Sequence, residues 1–189
     1  MVPLVLATVW AILPSAHAAG NGNVDGANGV LQVRGALTES ACRLEMQSAW
    51  QDVWLGETGT ARLAQIGDRG VPAAIKLQLR DCLRSPAKNR DLRNGNQVWS
   101  TEQPAVSVSF VAPADADNPQ LVKVKGASGL ALRMTDALGR DVRLGERGVP
   151  LLLTPGQTVL DYTVTPERTR APLEAGAYSA HVDFRLSYD

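Results

Sequence analysis

Hydrophobic side chains recur at every second position along much of the chain, and this period of two constrains the fold more than any other feature. The alternation is clearest in five segments, at residues 31–37, 75–79, 106–110, 130–134 and 182–188. Shorter apolar segments lie at 53–55, 142–144 and 159–164. The last of these slips by one residue near Asp161. Since no segment shows a run of helical spacing, the sequence predicts an all-β sandwich of two sheets, each with one buried face.

The least regular part of the chain is residues 83–104, which are rich in Arg, Asn and Asp. This composition predicts a long surface loop. Trp99 lies within the loop, and we expect it to be a packing anchor rather than an exposed contact. Burial is also the expected state of Trp50 and Trp54, although a binding role for any of the three tryptophans stays open.

The N-terminus has the pattern of an export signal. Residues 2–13 form an apolar run interrupted only by Pro3 and Thr8, and a small–x–small tripeptide, Ala-His-Ala, follows at 16–18. This pattern is typical of a cleaved signal peptide, and the run is too short for a membrane span. A buried N-terminal helix is the alternative, but Gly- and Asn-rich residues follow instead of a capped helix. We therefore expect a signal peptide at 1–18 and export of one folded domain.

Charge and cysteine content narrow the choice of partners. Acidic and basic residues balance at 19 each, and none of them lies in the signal segment. A neutral surface gives no electrostatic reason to bind nucleic acid or an anionic membrane. Cys42 and Cys82 both lie in the exported part, where an isolated pair forms a disulfide far more often than a metal site. His181, the one histidine after the signal segment, is expected to be an outward-facing polar residue.

Motifs of the common catalytic sites do not occur in the sequence. It has no G-x-S-x-G elbow, no H-E-x-x-H pair and no phosphate-binding loop. Residues 115–118 (Asp-Ala-Asp-Asn) resemble a fragment of a calcium loop, but the glycine and distal glutamate of that loop are missing. A solvated turn is the favoured interpretation. We predict a protein that is not an enzyme and that needs no metal or small-molecule cofactor.

Four segments, taken in order, carry a resemblance to a known family. They are 29–37 (GVLQVRGAL) shortly before Cys42, 53–56 (VWLG), the strand 75–79 running into Cys82, and 176–189 with its penultimate Tyr188. Together they resemble chaperone–usher fimbrial subunits of the type 1 and P pilus kind, over nearly the whole mature chain. The resemblance implies an incomplete immunoglobulin-like β-sandwich that lacks its final strand and is completed by donor-strand complementation.

The resemblance also implies how the chain is organised and which residues carry assembly. After the signal peptide, residues 19–38 form an N-terminal extension with the donor strand, and residues 39–189 form the pilin domain. The donor row is Leu31, Val33, Gly35 and Leu37, on a segment tethered by Gly- and Asn-rich residues. The groove strand, which the chaperone also recognises, carries Val182, Phe184, Leu186 and Tyr188, and basic chaperone residues grip the carboxylate of Asp189.

The implied partners are a periplasmic pilus chaperone, an outer-membrane usher and neighbouring pilin subunits. The implied location is a fimbrium on the bacterial surface, reached through the periplasm. Several alternatives stay open at this point. The donor row could be an ordinary first strand of a complete sandwich, with Gly35 at a bulge. The chain could also be a secreted binding module for a carbohydrate or a host protein that does not polymerise. Among pilins, the roles of rod subunit, tip adapter and terminator are all compatible with the sequence.

Overall fold

The computed structural model describes residues 30–33 and 40–188. The chain divides into two units, residues 1–37 and 38–189. In the first unit, residues 30–33 have no regular secondary structure, and their apolar side chains are exposed. The predicted signal peptide and the predicted donor residues Gly35 and Leu37 lie outside the described residues.

In the described part of the second unit, almost all of the regular secondary structure is β-strand. The strands are β1 (Arg43–Leu44), β2 (Ala73–Cys82), β3 (Ala87–Arg90), β4 (Gln97–Ser100), β5 (Ala105–Val111), β6 (Val122–Lys123), β7 (Leu130–Asp136), β8 (Leu151–Leu152), β9 (Gly156–Arg168) and β10 (Asp183–Tyr188). A helix of four residues, α1 (Met46–Ala49), and a 3-10 helix (Thr60–Leu63) complete the elements. Within residues 30–33 and 40–188, no helix has the length and hydrophobicity needed to cross a membrane.

The strands form two sheets and a separate hairpin, and all of their pairings are antiparallel. The larger sheet has the strand order β1-β2-β9-β7-β6, and the smaller has the order β10-β5-β8. Strands β3 and β4 pair only with each other. The predicted all-β architecture of two sheets is confirmed.

The core forms where the inner rows of the two sheets meet. Leu77 and Leu79 of β2 are fully buried, as is Val106 of β5. The ring of Phe110 on β5 meets that of Tyr162 on β9 edge-to-face, with 4.8 Å between centroids, which joins the two sheets. Burial, with a smaller contribution from the charge of Asp136, raises the pKa of Tyr162 to about 12.

The predicted slip in the pattern of β9 is wrong. Leu160, Tyr162 and Val164 are buried at strict alternation, while Val159 points outward with 39% of its surface exposed. The sequence places Val159 and Leu160 side by side, and either residue suits a strand. Pairing with β2, in which Leu77 lies opposite Leu160, determines which of the two faces inward.

Two segments predicted as strands belong to the core without forming strands. Val53 and Leu55 lie in irregular chain, although both pack against the core. The chain just before them is attached to the edge of β2 through a side chain, because the Gln51 amide donates to the Lys76 carbonyl oxygen at 3.1 Å. Val142 is buried too, but the segment 142–144 has no strand ladder. The alternation of apolar residues correctly predicted that these side chains point into the core. It did not predict that their backbone forms no strand ladder.

The region predicted as a long loop, 83–104, contains the β3–β4 hairpin. The inward face of the hairpin is formed partly by Asn89, which is buried, so its hydrophobic pattern is too weak to be recognised as a strand. Trp99 lies on the outward face and is 69% exposed, so its predicted role as a packing anchor is wrong. Trp50 and Trp54 are exposed as well, contrary to expectation.

Candidate functional site

A disulfide joins the residue before β1 to the last residue of β2. The sulfur atoms of Cys42 and Cys82 are bonded, as the sequence predicted, across a separation of 40 residues. The bond holds the start of β1 against the end of β2. It therefore fixes the edge of the larger sheet at the point where the chain enters the domain.

Strand β10 forms the edge of the smaller sheet. All six of its residues pair with β5, from Asp183 opposite Val111 to Tyr188 opposite Val106. The predicted groove residues Val182, Phe184, Leu186 and Tyr188 all pack against the hydrophobic core, with Val182 just before the strand. Asp183 and Arg185, which alternate with them, are exposed. The C-terminal strand therefore presents one apolar row to the interior.

Burial decreases from β5 to β10 across this sheet. The inward residues of β5 are almost completely covered, with Val106 at 0%, Val108 at 3% and Phe110 at 3% exposure. Phe184 and Leu186 face the same core but are only partly buried. Strand β5 has a neighbour on each side, whereas β10 pairs with β5 alone within the described residues. Its outer edge is unpaired there, and its apolar row is covered from one side.

The near edge of the larger sheet shows the same partial burial. Four apolar residues pack against the core there without being fully covered: Leu44 of β1, Ile75 of β2, and Val53 and Leu55 of the irregular chain between these strands. We call these four residues, together with the β10 row, the open edge of the core. Their apolar surface belongs to the interior of the sandwich, yet in the described chain it is covered incompletely.

The two sides of the open edge are linked by Tyr188. Its hydroxyl donates a hydrogen bond to the backbone carbonyl oxygen of Cys42 at 3.4 Å. Partial burial raises the pKa of this tyrosine, and a hydrogen bond with Ser40 partly offsets the effect. The penultimate tyrosine therefore ties the end of β10 to the chain that leads into β1.

Of the predicted donor residues, Leu31 and Val33 are described, with 87% and 83% of their surface exposed. Neither of these side chains is buried in the chain that carries it. The neighbouring Val30 is 94% exposed.

Asp115 and His181 are the other polar residues that the sequence singled out. One carboxylate oxygen of Asp115 accepts the backbone N–H groups of Asp117 and Asn118, at 3.0 and 3.2 Å, as expected of a solvated turn. His181 is exposed, as predicted, and lies 3.3 Å from an oxygen of Asp183. Across residues 30–33 and 40–188, no three His, Cys, Asp or Glu side chains are arranged to hold a metal ion.

Comparison of the sequence with known protein families identifies the family of this chain. The sequence matches the family described as Fimbrial protein over residues 31–189. The chain belongs to the fimbrial protein family. The match includes the exposed segment 31–33, the disulfide-bonded edge and the whole of β10, so it spans both the predicted donor row and the open edge.

Curated relatives of this fimbrial protein match most of its length. It is 31% identical to the PRS fimbrial minor pilin protein of Escherichia coli, over 82% of this chain and 74% of that protein. It is 28% identical to the probable major fimbrial subunit LpfA of Escherichia coli O157:H7, over 86% of this chain and 84% of that protein. Long polar fimbria protein A of Salmonella typhimurium is 28% identical, over 100% of this chain and 96% of that protein.

Solved structures agree on the fold. The P pilus rod subunit PapA superposes with a TM-score of 0.64 at 24% identity, covering 79% of this chain and 100% of that one. A structure of a chaperone–usher pilus gives a TM-score of 0.65 at 21% identity, covering 88% and 99%. The predicted immunoglobulin-like fold and the predicted membership of the chaperone–usher pilins are confirmed. This fimbrial protein is a structural subunit of a fimbria at the cell surface, where it assembles with other pilin subunits.

Proposed function

We propose that the chain polymerises by donor-strand exchange. The N-terminal extension at 19–38 of one copy inserts beside β10 of the next copy, in the domain formed by residues 39–189. Its donor row, Leu31, Val33, Gly35 and Leu37, then covers the open edge of the core. The observation that carries this proposal is that, within the described residues, the outer edge of β10 is unpaired and its apolar row is only partly buried.

The backbone of β10 supports insertion of a strand. In an antiparallel pair, the N–H and C=O groups of alternate residues point away from the partner strand. On β10 these groups face the edge that has no partner strand in the described part of the chain, where an added strand would satisfy them. Pairing of this kind gives affinity whatever the side chains are, and the side chains on alternate positions of the donor select the register.

The apolar surface supports the same step. Burying three side chains of the size of Leu31, Val33 and Leu37 contributes on the order of 5–8 kcal/mol before the costs of ordering. The high exposure of Leu31 and Val33 means that most of this gain remains to be made. A glycine at position 35 interrupts the apolar row, and it fits a shallow point of the groove where a Cβ would clash.

Before assembly, the open edge would have to be covered by another strand. We infer that a periplasmic chaperone supplies it, pairing with β10 and gripping the carboxylate of Asp189. An outer-membrane usher then receives the complex, and the signal peptide at 1–18 directs the chain to this route. An unpaired strand edge beside exposed core residues is prone to aggregation, which gives the chaperone a physical role.

Arginine substitutions in the N-terminal segment test the donor assignment by comparing two donor positions with an adjacent position outside the donor row. Leu31→Arg or Val33→Arg should leave the chaperone complex intact but abolish the ladder of heat-resistant oligomers in electrophoresis without boiling. Val30→Arg is the matched control, because position 30 is out of phase with the donor row and faces away from the groove. A wild-type ladder from Leu31→Arg, or loss of the ladder with Val30→Arg, would refute the donor assignment.

A further inference from the structure

The β3–β4 hairpin presents an exposed face that lies outside the open edge of the core. Cross-strand partners share a face of an antiparallel ladder, and here Lys88 lies opposite Trp99 while Arg90 lies opposite Gln97. All four side chains are exposed, and the Trp99 surface is 69% accessible. We call this set of four residues the hairpin face. It carries a large aromatic ring directly opposite Lys88 and diagonal to Arg90.

The hairpin face rests on a well-defined support. Ala87 and Asn89, on the opposite side of β3, are 6% and 5% exposed. At the turn, the buried Asp91 accepts the Arg93 backbone N–H on its carboxylate at 2.9 Å, and its carbonyl oxygen accepts the Gly95 N–H at 2.8 Å. The outward side chains therefore project from a backbone that is fixed by burial and by hydrogen bonds.

The charge of the hairpin face is not balanced locally. Asp91 is the one acidic residue between positions 84 and 101, and it lies inside the turn. Arg84 at the base of the hairpin pairs with Glu102 at 2.9 Å. Within the described chain, neither Lys88 nor Arg90 has an acidic side chain at ion-pair distance. A chain of zero net charge thus concentrates unpaired positive charge around one exposed tryptophan.

We propose that the hairpin face binds an acidic polysaccharide. Its ligand is a chain of sugar rings that carry sulfate or carboxylate groups. The apolar face of a sugar ring stacks on Trp99, and Lys88 and Arg90 hold the anionic groups through charge-assisted hydrogen bonds. The Gln97 amide adds a donor and an acceptor for hydroxyl groups. Neighbouring outward positions on a strand are about 7 Å apart, so both cations reach one ligand chain.

Repetition of the site along a fimbria would strengthen its binding. A single exposed site of this size is weak, but linked copies that engage one long polymer raise the overall avidity by about 10²–10⁴. Only this amplification rests on the proposed polymerisation. The site itself is present in each subunit.

Heparin is the probe for the test, with neutral dextran and duplex DNA for comparison. Binding is measured both on assembled fimbriae and on the full chain in complex with its chaperone. Heparin should bind and dextran should not. Trp99→Ala should weaken binding of heparin to the single subunit about tenfold, the loss of one stacking contact. Lys88→Gln combined with Arg90→Gln should weaken it at least as much, because two charged contacts are lost. Trp99→Phe should retain most of the affinity.

Matched controls come from the same chain. Trp54→Ala removes a tryptophan that is more exposed than Trp99, and Lys123→Gln removes an exposed lysine of β6 in the larger sheet. Both variants should bind heparin like the wild type. All variants should give the wild-type ladder without boiling, so a failure of polymerisation is recognised separately.

Three results would overturn the proposal. The first is no heparin binding by the wild type. The second is DNA binding as tight as heparin binding and insensitive to Trp99→Ala, which would indicate a response to charge alone. The third is unchanged heparin binding in the hairpin variants while side-by-side association of their fimbriae is lost, which would assign the face to contacts between copies.

Discussion

Replacing Phe184 by alanine should weaken capture of a donor strand while leaving the subunit folded. Phe184 packs against Phe110, with 6.4 Å between ring centroids, on the inward face of β10, whose outer edge is unpaired within the described residues. Phe110 lies one strand further in and is already 97% covered. The two phenylalanines have the same side chain and contact each other. Only Phe184, however, has accessible surface that a donor strand could cover.

The expected magnitude follows from that remaining surface. A phenylalanine side chain buries about 200 Å² when fully covered, and for a partly buried one about a fifth of this remains for the donor. At about 25 cal/mol per Å², the loss is about 1 kcal/mol, or about fivefold in the dissociation constant. Phe110→Ala should destabilise the subunit by about 3–5 kcal/mol. Its direct contribution to donor binding should be close to zero.

The assay is a titration with a fluorescent peptide that has the sequence of residues 29–38. The acceptor is the full chain with Leu31→Arg, so that its own extension cannot act as a donor, released from its chaperone by the peptide. Near-ultraviolet circular dichroism of each complex checks that the variants are folded. Equal peptide affinity for Phe184→Ala and the parent would refute the reasoning, as would a larger loss for Phe110→Ala than for Phe184→Ala.

Three further predictions concern stability, each measured by urea unfolding of the peptide-bound subunit. Cys42→Ser with Cys82→Ser should cost about 4 kcal/mol, because the bond spans 40 residues; an unchanged midpoint would contradict this. Burial raises the pKa of Tyr162 from 10.0 to about 12, so its stabilisation is complete below pH 10 and is lost as the pH rises through 12. The loss should be about 2–3 kcal/mol, and Tyr162→Phe should abolish it. Gly148→Ala should cost about 2 kcal/mol or more, since its Cβ would lie 2.4 Å from a carbonyl oxygen, whereas Gly59→Ala, with open space around it, should be neutral.

The sequence predicted those elements whose side chains alternate between core and solvent. Strands β2, β5, β7 and β10 all coincide with such segments, because burial on one face imposes a period of two. The bonded cysteine pair was predicted for an equally direct reason, since an exported chain offers it no competing partner. The inward row of β10 was also recognised from residues 182–188 alone.

What the sequence could not predict depends on neighbours. Val53 and Leu55 have the alternation of a strand but no ladder, because β2 is contacted there through side chains of the preceding residues. The β3–β4 hairpin was not predicted because its inward face includes Asn89. A polar residue at an inward position interrupts the alternation of hydrophobic residues that indicates a strand. Trp99 is exposed because it lies opposite Lys88 on the outward face of the hairpin. The residue type alone did not indicate this.

The edges of the sandwich show why its opening lies at β10. Each sheet has two edge strands, and three of the four, β1, β6 and β8, are only two residues long. Very short edges are a common way to prevent pairing with another chain. The fourth edge, β10, has six residues and a continuous apolar row. It ends at Tyr188, whose hydroxyl donates a hydrogen bond to the carbonyl oxygen of Cys42, just before β1 of the opposite sheet. In the described chain, the protection found at three edges is therefore missing at one, and that edge adjoins incompletely covered core. A long apolar strand at an open edge gives no benefit to a subunit that stays a monomer. A subunit that binds a strand from another molecule needs such an edge, because the edge supplies both the backbone partners and the apolar surface for the added strand.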